Sequence, residues 1–216
     1  MSIRHLLRGL PVLAGPLPSF DAGNAPEDPR ELFVTWLAEA VEAGVREPHV
    51  VTLATAGADG RPDTRVLMLR ELDDRGWQFA TAASSAKGRQ LAENPWGALN
   101  FHWREQGRQI RVRGNATPLD QQFCAADFLS RPDISRAASL AGRQSAVLGG
   151  PEELKQALAA AEERLRDDPG VIAEDYTVYV VSPVSVEFWQ GDADRRHVRL
   201  HYRREGDSWI RERLWP

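Results

Sequence analysis

Arg195, His197 and Arg199 fall within five residues, with Trp189 just ahead of them. Strand side chains repeat every second residue, so an extended chain would put all three on one face. Two guanidiniums and an imidazole there form an anion site with a titratable group inside it. Trp189 adds a large flat wall. That set suits a planar, anionic small molecule. The same stretch, Val186 to Arg199, also reads as a solvated hairpin edge carrying ordinary surface charge.

A second group lies earlier. In Arg65-Val66-Leu67-Met68-Leu69-Arg70, period-two alternation sets Arg65, Leu67 and Leu69 on one face and Val66, Met68 and Arg70 on the other. Arg65 is then a charge on an otherwise apolar face and requires a partner. Ala80-Thr81 leads to Ser84-Ser85-Ala86-Lys87-Gly88 at a helix start. Free N–H groups, hydroxyls and a lysine there make either a phosphate cradle or an ordinary cap. The spacing is neither that of a Walker loop nor that of the dinucleotide fingerprint. Gln109 could read the edge of a heterocycle, or be a surface glutamine. Arg143-Gln144-Ser145 reads as an anion contact or a loop, and Arg131-Pro132 as a ligand arginine or a helix terminator.

The elements that must position these residues are legible in outline. Residues 1–27, with four prolines, read as an irregular arm, and 28–216 as a single domain. Asp28, Pro29 and Glu31 open a helix whose apolar face is Leu32, Phe33, Trp36, Leu37, Ala40 and Val41; Gly44 ends it. Strands are expected over 49–56, 62–72, 77–81, 96–104 and 108–117. A helix over 84–94 interrupts them, and helices follow over 120–130, 135–141 and 151–167. Strands resume over 176–181, 184–190, 198–204 and 208–213. Short strands joined by tight turns point to an α+β fold built on an antiparallel barrel or sandwich.

Composition narrows the chemistry. A net charge of −4 gives no general pull towards nucleic acid or an anionic membrane. Only Lys87 and Lys155 are lysines among 27 basic residues, so a lysine in a phosphate-like context stands out. One cysteine, Cys124, forbids an intramolecular disulfide and a cysteine-based zinc site, and fits a reducing cytoplasm. The histidines have no metal-ligand spacing, so no metal is expected, and no nucleophile motif supports a hydrolase. The apolar N-terminal stretch is too short and too interrupted for a signal peptide or a membrane span.

Taken together, these pieces resemble the pyridoxamine 5′-phosphate oxidase family from about Asp28 to Pro216. The matching runs are Arg65–Arg70, Thr81, Ser85-Ala-Lys87-Gly, Asn94-Pro95, Arg108-Gln109-Ile, Ser130-Arg131-Pro132, Arg143-Gln144-Ser145, Glu187-Phe-Trp-Gln-Gly191, Arg195-Arg-His197-Val-Arg199 and the closing Arg213-Leu-Trp-Pro216. The resemblance implies an FMN-binding split β-barrel with peripheral helices, and a homodimer with FMN at its interface. It implies that Arg65 to Arg70, Ala80, Thr81 and Lys87 hold the cofactor from one subunit, with Gln109 at the ring. Gln144, Ser145, Trp189 and Arg199 would come from the other. A substrate would stack on the flavin under Arg195 and His197, its phosphate held by Arg131 and Ser135. Hydride would pass to the flavin, and O2 would reoxidise it to give H2O2.

The chain departs from the family pattern on the substrate side. Arg70 stands where the family has a lysine that reaches the substrate, and a rigid fork is not equivalent to a flexible point charge. Asp127 stands where the family has a tyrosine bound to the substrate phosphate, and a carboxylate there repels a dianion unless Arg131 or Arg136 intervenes. Ala86 replaces a basic neighbour of Lys87, and Glu174 to Tyr179 lacks the family's paired glycines. These changes, with Asn94-Pro-Trp96 and Trp103-Arg-Glu105, are similar to the phenazine-biosynthesis branch, which oxidises a reduced tricyclic acid. The alternatives are therefore a pyridoxamine or pyridoxine phosphate oxidase, a flavin oxidase for another planar heterocycle, and a non-catalytic flavin- or B6-binding protein.

Overall fold

The computed structural model describes residues 2–216. A short helix α1 (Ile3–Arg8) lies in the stretch expected to be irregular, its start capped by the Ser2 hydroxyl, which accepts from the His5 N–H. Helix α2 (Pro29–Glu42) starts where the Asp28–Pro29 signal placed it, with the Asp28 carboxylate accepting from the Arg30 N–H. Leu32, Phe33, Trp36 and Ala40 are buried as its pattern requires, whereas Val41 is exposed.

Strands β1 (Val50–Ala56), β2 (Pro62–Met68), β3 (Glu71–Asp73) and β4 (Gly76–Ala82) precede helix α3 (Ala86–Glu93). Then come β5 (Trp96–Trp103), β6 (Arg108–Pro118), helices α4 (Gln121–Leu129), α5 (Asp133–Leu140) and α6 (Pro151–Asp167), and β7 (Tyr176–Gln190), β8 (Val198–Glu205) and β9 (Ser208–Arg213). Hydrogen bonding orders the strands β2-β1-β5-β6-β7-β4-β3, with β8 on β7 and β9 on β8.

Two expected boundaries move, both because a strand changes partner. The run 62–72 is two strands: β2 neighbours β1, while β3 pairs antiparallel with β4, Glu71 opposite Gln78. Conversely, 176–181 and 184–190 are one strand. Its register with β4 ends at Val181 and that with β8 begins at Ser185, so Pro183 falls between the two, where its missing N–H is tolerated.

The chain divides into two compact units, residues 1–52, 99–113 and 183–216 in the first and 53–98 and 114–182 in the second. The first has an aromatic core. Phe33 meets Phe101 edge-on at 4.9 Å, Trp36 meets Phe188 at 5.2 Å, and Phe188 meets Tyr202 at 5.8 Å. Arg108 lies 4.1 Å over the Trp36 ring and donates to Gln190. The arm belongs to this unit: the side chain of Leu13 packs on Gly191 and those of Leu13 and Leu17 on Gly107, whose left-handed backbone favours glycine. The second unit buries Cys124, Phe128, Ala137, Leu140, Leu165, Tyr176 and Val178 around its helices.

Candidate active site

The second unit contains a cavity of about 690 Å³. One end is built from β2, β4 and the start of α3. The β2 alternation holds: Arg65 and Leu67 are half-buried, Val66 and Met68 exposed. The partner that Arg65 required is a cluster on its own unit: its guanidinium donates to the Thr55 hydroxyl, to Gln90 Oε1 at 3.1 Å and to Asp63 at 2.6 Å. That cluster fixes the fork at the cavity wall.

Ser85 is the N-cap of α3, its hydroxyl accepting from the Gly88 N–H at 3.3 Å. Any Cβ at Gly88 would run into the Ala83 carbonyl, so the helix can approach this turn only with glycine there. Lys87 is buried, 9% exposed, and its Nζ donates to Thr81 Oγ1 at 3.0 Å and Gln144 Oε1 at 3.2 Å. Among the described residues no carboxylate pairs with it. Burial, and then the nearby Arg65, hold its pKa below the usual lysine value. A buried ammonium with no carboxylate at ion-pair distance among the described residues, a guanidinium and a helix N-terminus make a site for a phosphate dianion.

Gln144 and Ser145 complete this end. Ser145 Oγ accepts from the Ala86 N–H at 3.2 Å, and Gln144 accepts from both Thr81 and Lys87. The resemblance assigned this pair to the partner subunit; here they reach the cradle of their own chain. The backbone brings them there through left-handed conformations at Gly142, Arg143 and Ser145, with Arg143 tied to Glu153 on α6 at 2.8 Å.

Arg131, Ser139 and Tyr176 also line the cavity. Arg131 donates to Ser139 Oγ at 2.8 Å and lies 4.9 Å over the Tyr176 ring. Ser135, the expected companion of Arg131, does not line the cavity; its backbone carbonyl accepts from Ser139. Nor does Arg136 intervene at Asp127: it is buried and bonded to Asp133 and to the carbonyls of Pro169 and Val171. Instead Asp127 accepts from Arg70 Nη2 at 3.0 Å and from the Tyr176 hydroxyl. Burial, and then this bond to Asp127, raise the Tyr176 pKa, so it is a neutral phenol. Sequence reasoning missed Tyr176. It was read only as the first residue of a strand, and period-two alternation does not say that its ring lines a cavity.

The remaining expected residues belong to the first unit. Gln109 is half-buried on β6. Trp189 is opposite Arg199 in the β7–β8 register, and its ring lies 4.8 Å from that of His197. The expected common face of Arg195, His197 and Arg199 is not formed, because residues 191–197 are not extended. Asp192 Oδ1 accepts from the Asp194 N–H, the Asp192 N–H donates to His197 Nδ1 at 3.0 Å, and Arg195 is left-handed at φ 66°. Only Arg199 is on β8. Its Nε donates to Glu187 Oε1 at 2.8 Å and its Nη1 to the Trp215 carbonyl. Arg195 is exposed, with no side-chain partner among the described residues.

Residues 37–190 match the family model described as pyridoxamine 5′-phosphate oxidase, and residues 176–216 that of the pyridoxine 5′-phosphate oxidase C-terminal dimerisation region. A Thermosynechococcus vestitus protein named pyridoxine/pyridoxamine 5′-phosphate oxidase is 46% identical over 193 residues, covering 89% of this chain and 91% of its own. A Pseudomonas fluorescens Pf0-1 protein of the same name is 43% identical, over 89% and 91%. Among solved structures, PhzG from Burkholderia lata 383, in complex with tetrahydrophenazine-1-carboxylic acid, is similar at TM-score 0.86. It is 35% identical and covers 94% of this chain and 100% of its own. An FMN-binding, oxidase-related protein from Nostoc punctiforme has the same fold at TM-score 0.71 and 19% identity, over 89% of this chain and 100% of its own. The fold is thus the α+β antiparallel split barrel, and the chain belongs to the pyridoxamine 5′-phosphate oxidase family of FMN-dependent oxidoreductases.

Proposed function

We propose that this protein is an FMN-dependent oxidase that converts pyridoxamine or pyridoxine 5′-phosphate to pyridoxal 5′-phosphate, with O2 reduced to H2O2. The observation that carries the cofactor is Lys87, buried beside Arg65 at the N-terminus of α3 with no carboxylate at ion-pair distance among the described residues. A dianionic phosphate supplies the missing charge, so these residues fit the FMN phosphate. Bound FMN would accept the hydride and return the electrons to O2. Arg65, Thr81 and Lys87 would hold its phosphate and ribityl chain, and Gln109 its ring, with Trp189 and Arg199 supplied by the second subunit of a homodimer. The C-terminal dimerisation region supports that assembly. Arg131 would bind the substrate's phosphate, and Arg195 and His197 would orient the substrate over the ring. The cytoplasm is the compartment we assign.

Purified protein loaded with FMN should turn over either phosphate under air, giving one aldehyde and one peroxide per turnover. Neither product would reject the reading. A second reading, oxidation of a reduced planar acid, is favoured by one observation. Asp127 already holds Arg70, leaving fewer cations for a phosphate. The same peroxide assay with such an acid tests it.

A further inference from the structure

Both oxygens of Asp127 are committed inside the protein. Oδ1 takes Arg70 Nη2 at 3.0 Å and Oδ2 takes the Tyr176 hydroxyl proton. The carboxylate is largely buried, with 18% of its side chain exposed, and Arg70 is one-third exposed. The two charges pair, and Nη2 of the guanidinium is taken up by the carboxylate. A phenol has one proton, so while Tyr176 donates to Asp127 its oxygen can only accept. The ring lines the cavity without offering a donor to a phosphate. Arg131, which lies over that ring, pairs with a hydroxyl and has no carboxylate partner among the described residues.

We infer that Asp127 is a specificity-determining residue: it withdraws Arg70 and the Tyr176 hydroxyl from the substrate's anionic group and leaves Arg131 as the cation that meets it. The inference rests on the proposed reading that the cavity wall at Arg131 and Tyr176 receives the substrate. The chain therefore grips a single negative charge well and a phosphate dianion less well than the same site would without Asp127. Tyr176 is a positioning residue and touches Asp127 rather than the anion.

The test is binding of pyridoxal 5′-phosphate and of pyridoxal to the FMN-loaded protein, read by calorimetry. Asp127→Asn keeps the shape, removes the charge and frees Arg70. It should tighten pyridoxal 5′-phosphate about tenfold and leave pyridoxal unchanged. Adding Arg70→Gln should abolish that gain. A purely structural role for Asp127 would weaken both ligands alike. Discrimination by Asp127→Asn no greater than that of the parent overturns the inference. Should Asp127→Asn not fold, Tyr176→Phe decides. An unchanged preference for the phosphate supports the inference, and a tenfold loss shows the hydroxyl on the anion and overturns it. Turnover is scored separately. Tighter binding without any peroxide from pyridoxamine phosphate rejects the oxidase reading and leaves this one standing. No binding of pyridoxal 5′-phosphate to either protein overturns both.

Discussion

Lys87 Nζ donates to Gln144 Oε1 across 3.2 Å, and both residues belong to one chain. The amide oxygen is one of the neutral acceptors the ammonium has here, beside the Thr81 hydroxyl, and it also takes the Thr81 hydroxyl proton. Replacing it by a carbon chain leaves a buried donor short of a partner. Gln144→Leu should lower the stability of the FMN-free protein by about 1–2 kcal/mol. Because a bound phosphate would satisfy Lys87 itself, saturating FMN should shrink that loss. Thermal unfolding with and without FMN checks both.

Lys87 should also set an alkaline pH dependence. Burial and Arg65 lower its folded pKa below the unfolded value of 10.5. Between those two values the unfolded chain binds the extra proton, so this residue's contribution to stability rises with pH through that window. Lys87→Met should flatten that rise in denaturant titrations of the FMN-free protein. The same variant loses a charge-assisted contact to the phosphate, and its FMN affinity should fall on the order of 10- to 100-fold.

Glu187 should set an acid dependence. It is 5% exposed and sits between Arg111 and Arg199. Burial acts to raise its pKa, but hydrogen bonds from Arg199 and Arg111 outweigh that and hold it below 4.5. The stability from this depressed pKa is present above 4.5 and is lost as pH falls through the folded value. Glu187→Gln should cost about 1–3 kcal/mol at neutral pH, because both arginines are partly solvated. Its urea midpoint should fall less steeply on acidification than that of the parent.

Gly88 tests the cradle's backbone. A methyl group there meets the Ala83 carbonyl, and the start of α3 must shift to make room. Gly88→Ala should cost about 1–3 kcal/mol and reduce FMN retention on gel filtration. Full retention with unchanged stability would mean that the start of α3 does not abut the Ala83 carbonyl.

Much of this architecture was legible because local chemistry dictates it. The Asp28–Pro29 cap, the alternation through Arg65 and Leu67, and the Ser85 cap each depend on residues a few positions apart, and all three appear where the spacing puts them. The need for a partner at Arg65 was also legible from one charge on an apolar face. The identity of that partner was not, since Thr55 and Gln90 are 10 and 25 residues away.

What only the tertiary structure decided is which groups meet. The sequence by itself determined the family, the phosphate-binding residue types and the two substrate-side departures, Arg70 and Asp127, each read as a separate loss. The folded chain joins those two across 57 residues in one ion pair and adds Tyr176 from β7. It likewise breaks the expected face of Arg195, His197 and Arg199, because Asp192 and His197 close a turn that alternation cannot foresee. Spacing specifies a side chain's neighbours only along its own element. Partners on other elements are set by strand order and helix packing, and there charge pairing and the proton of a single phenol decide what the site offers.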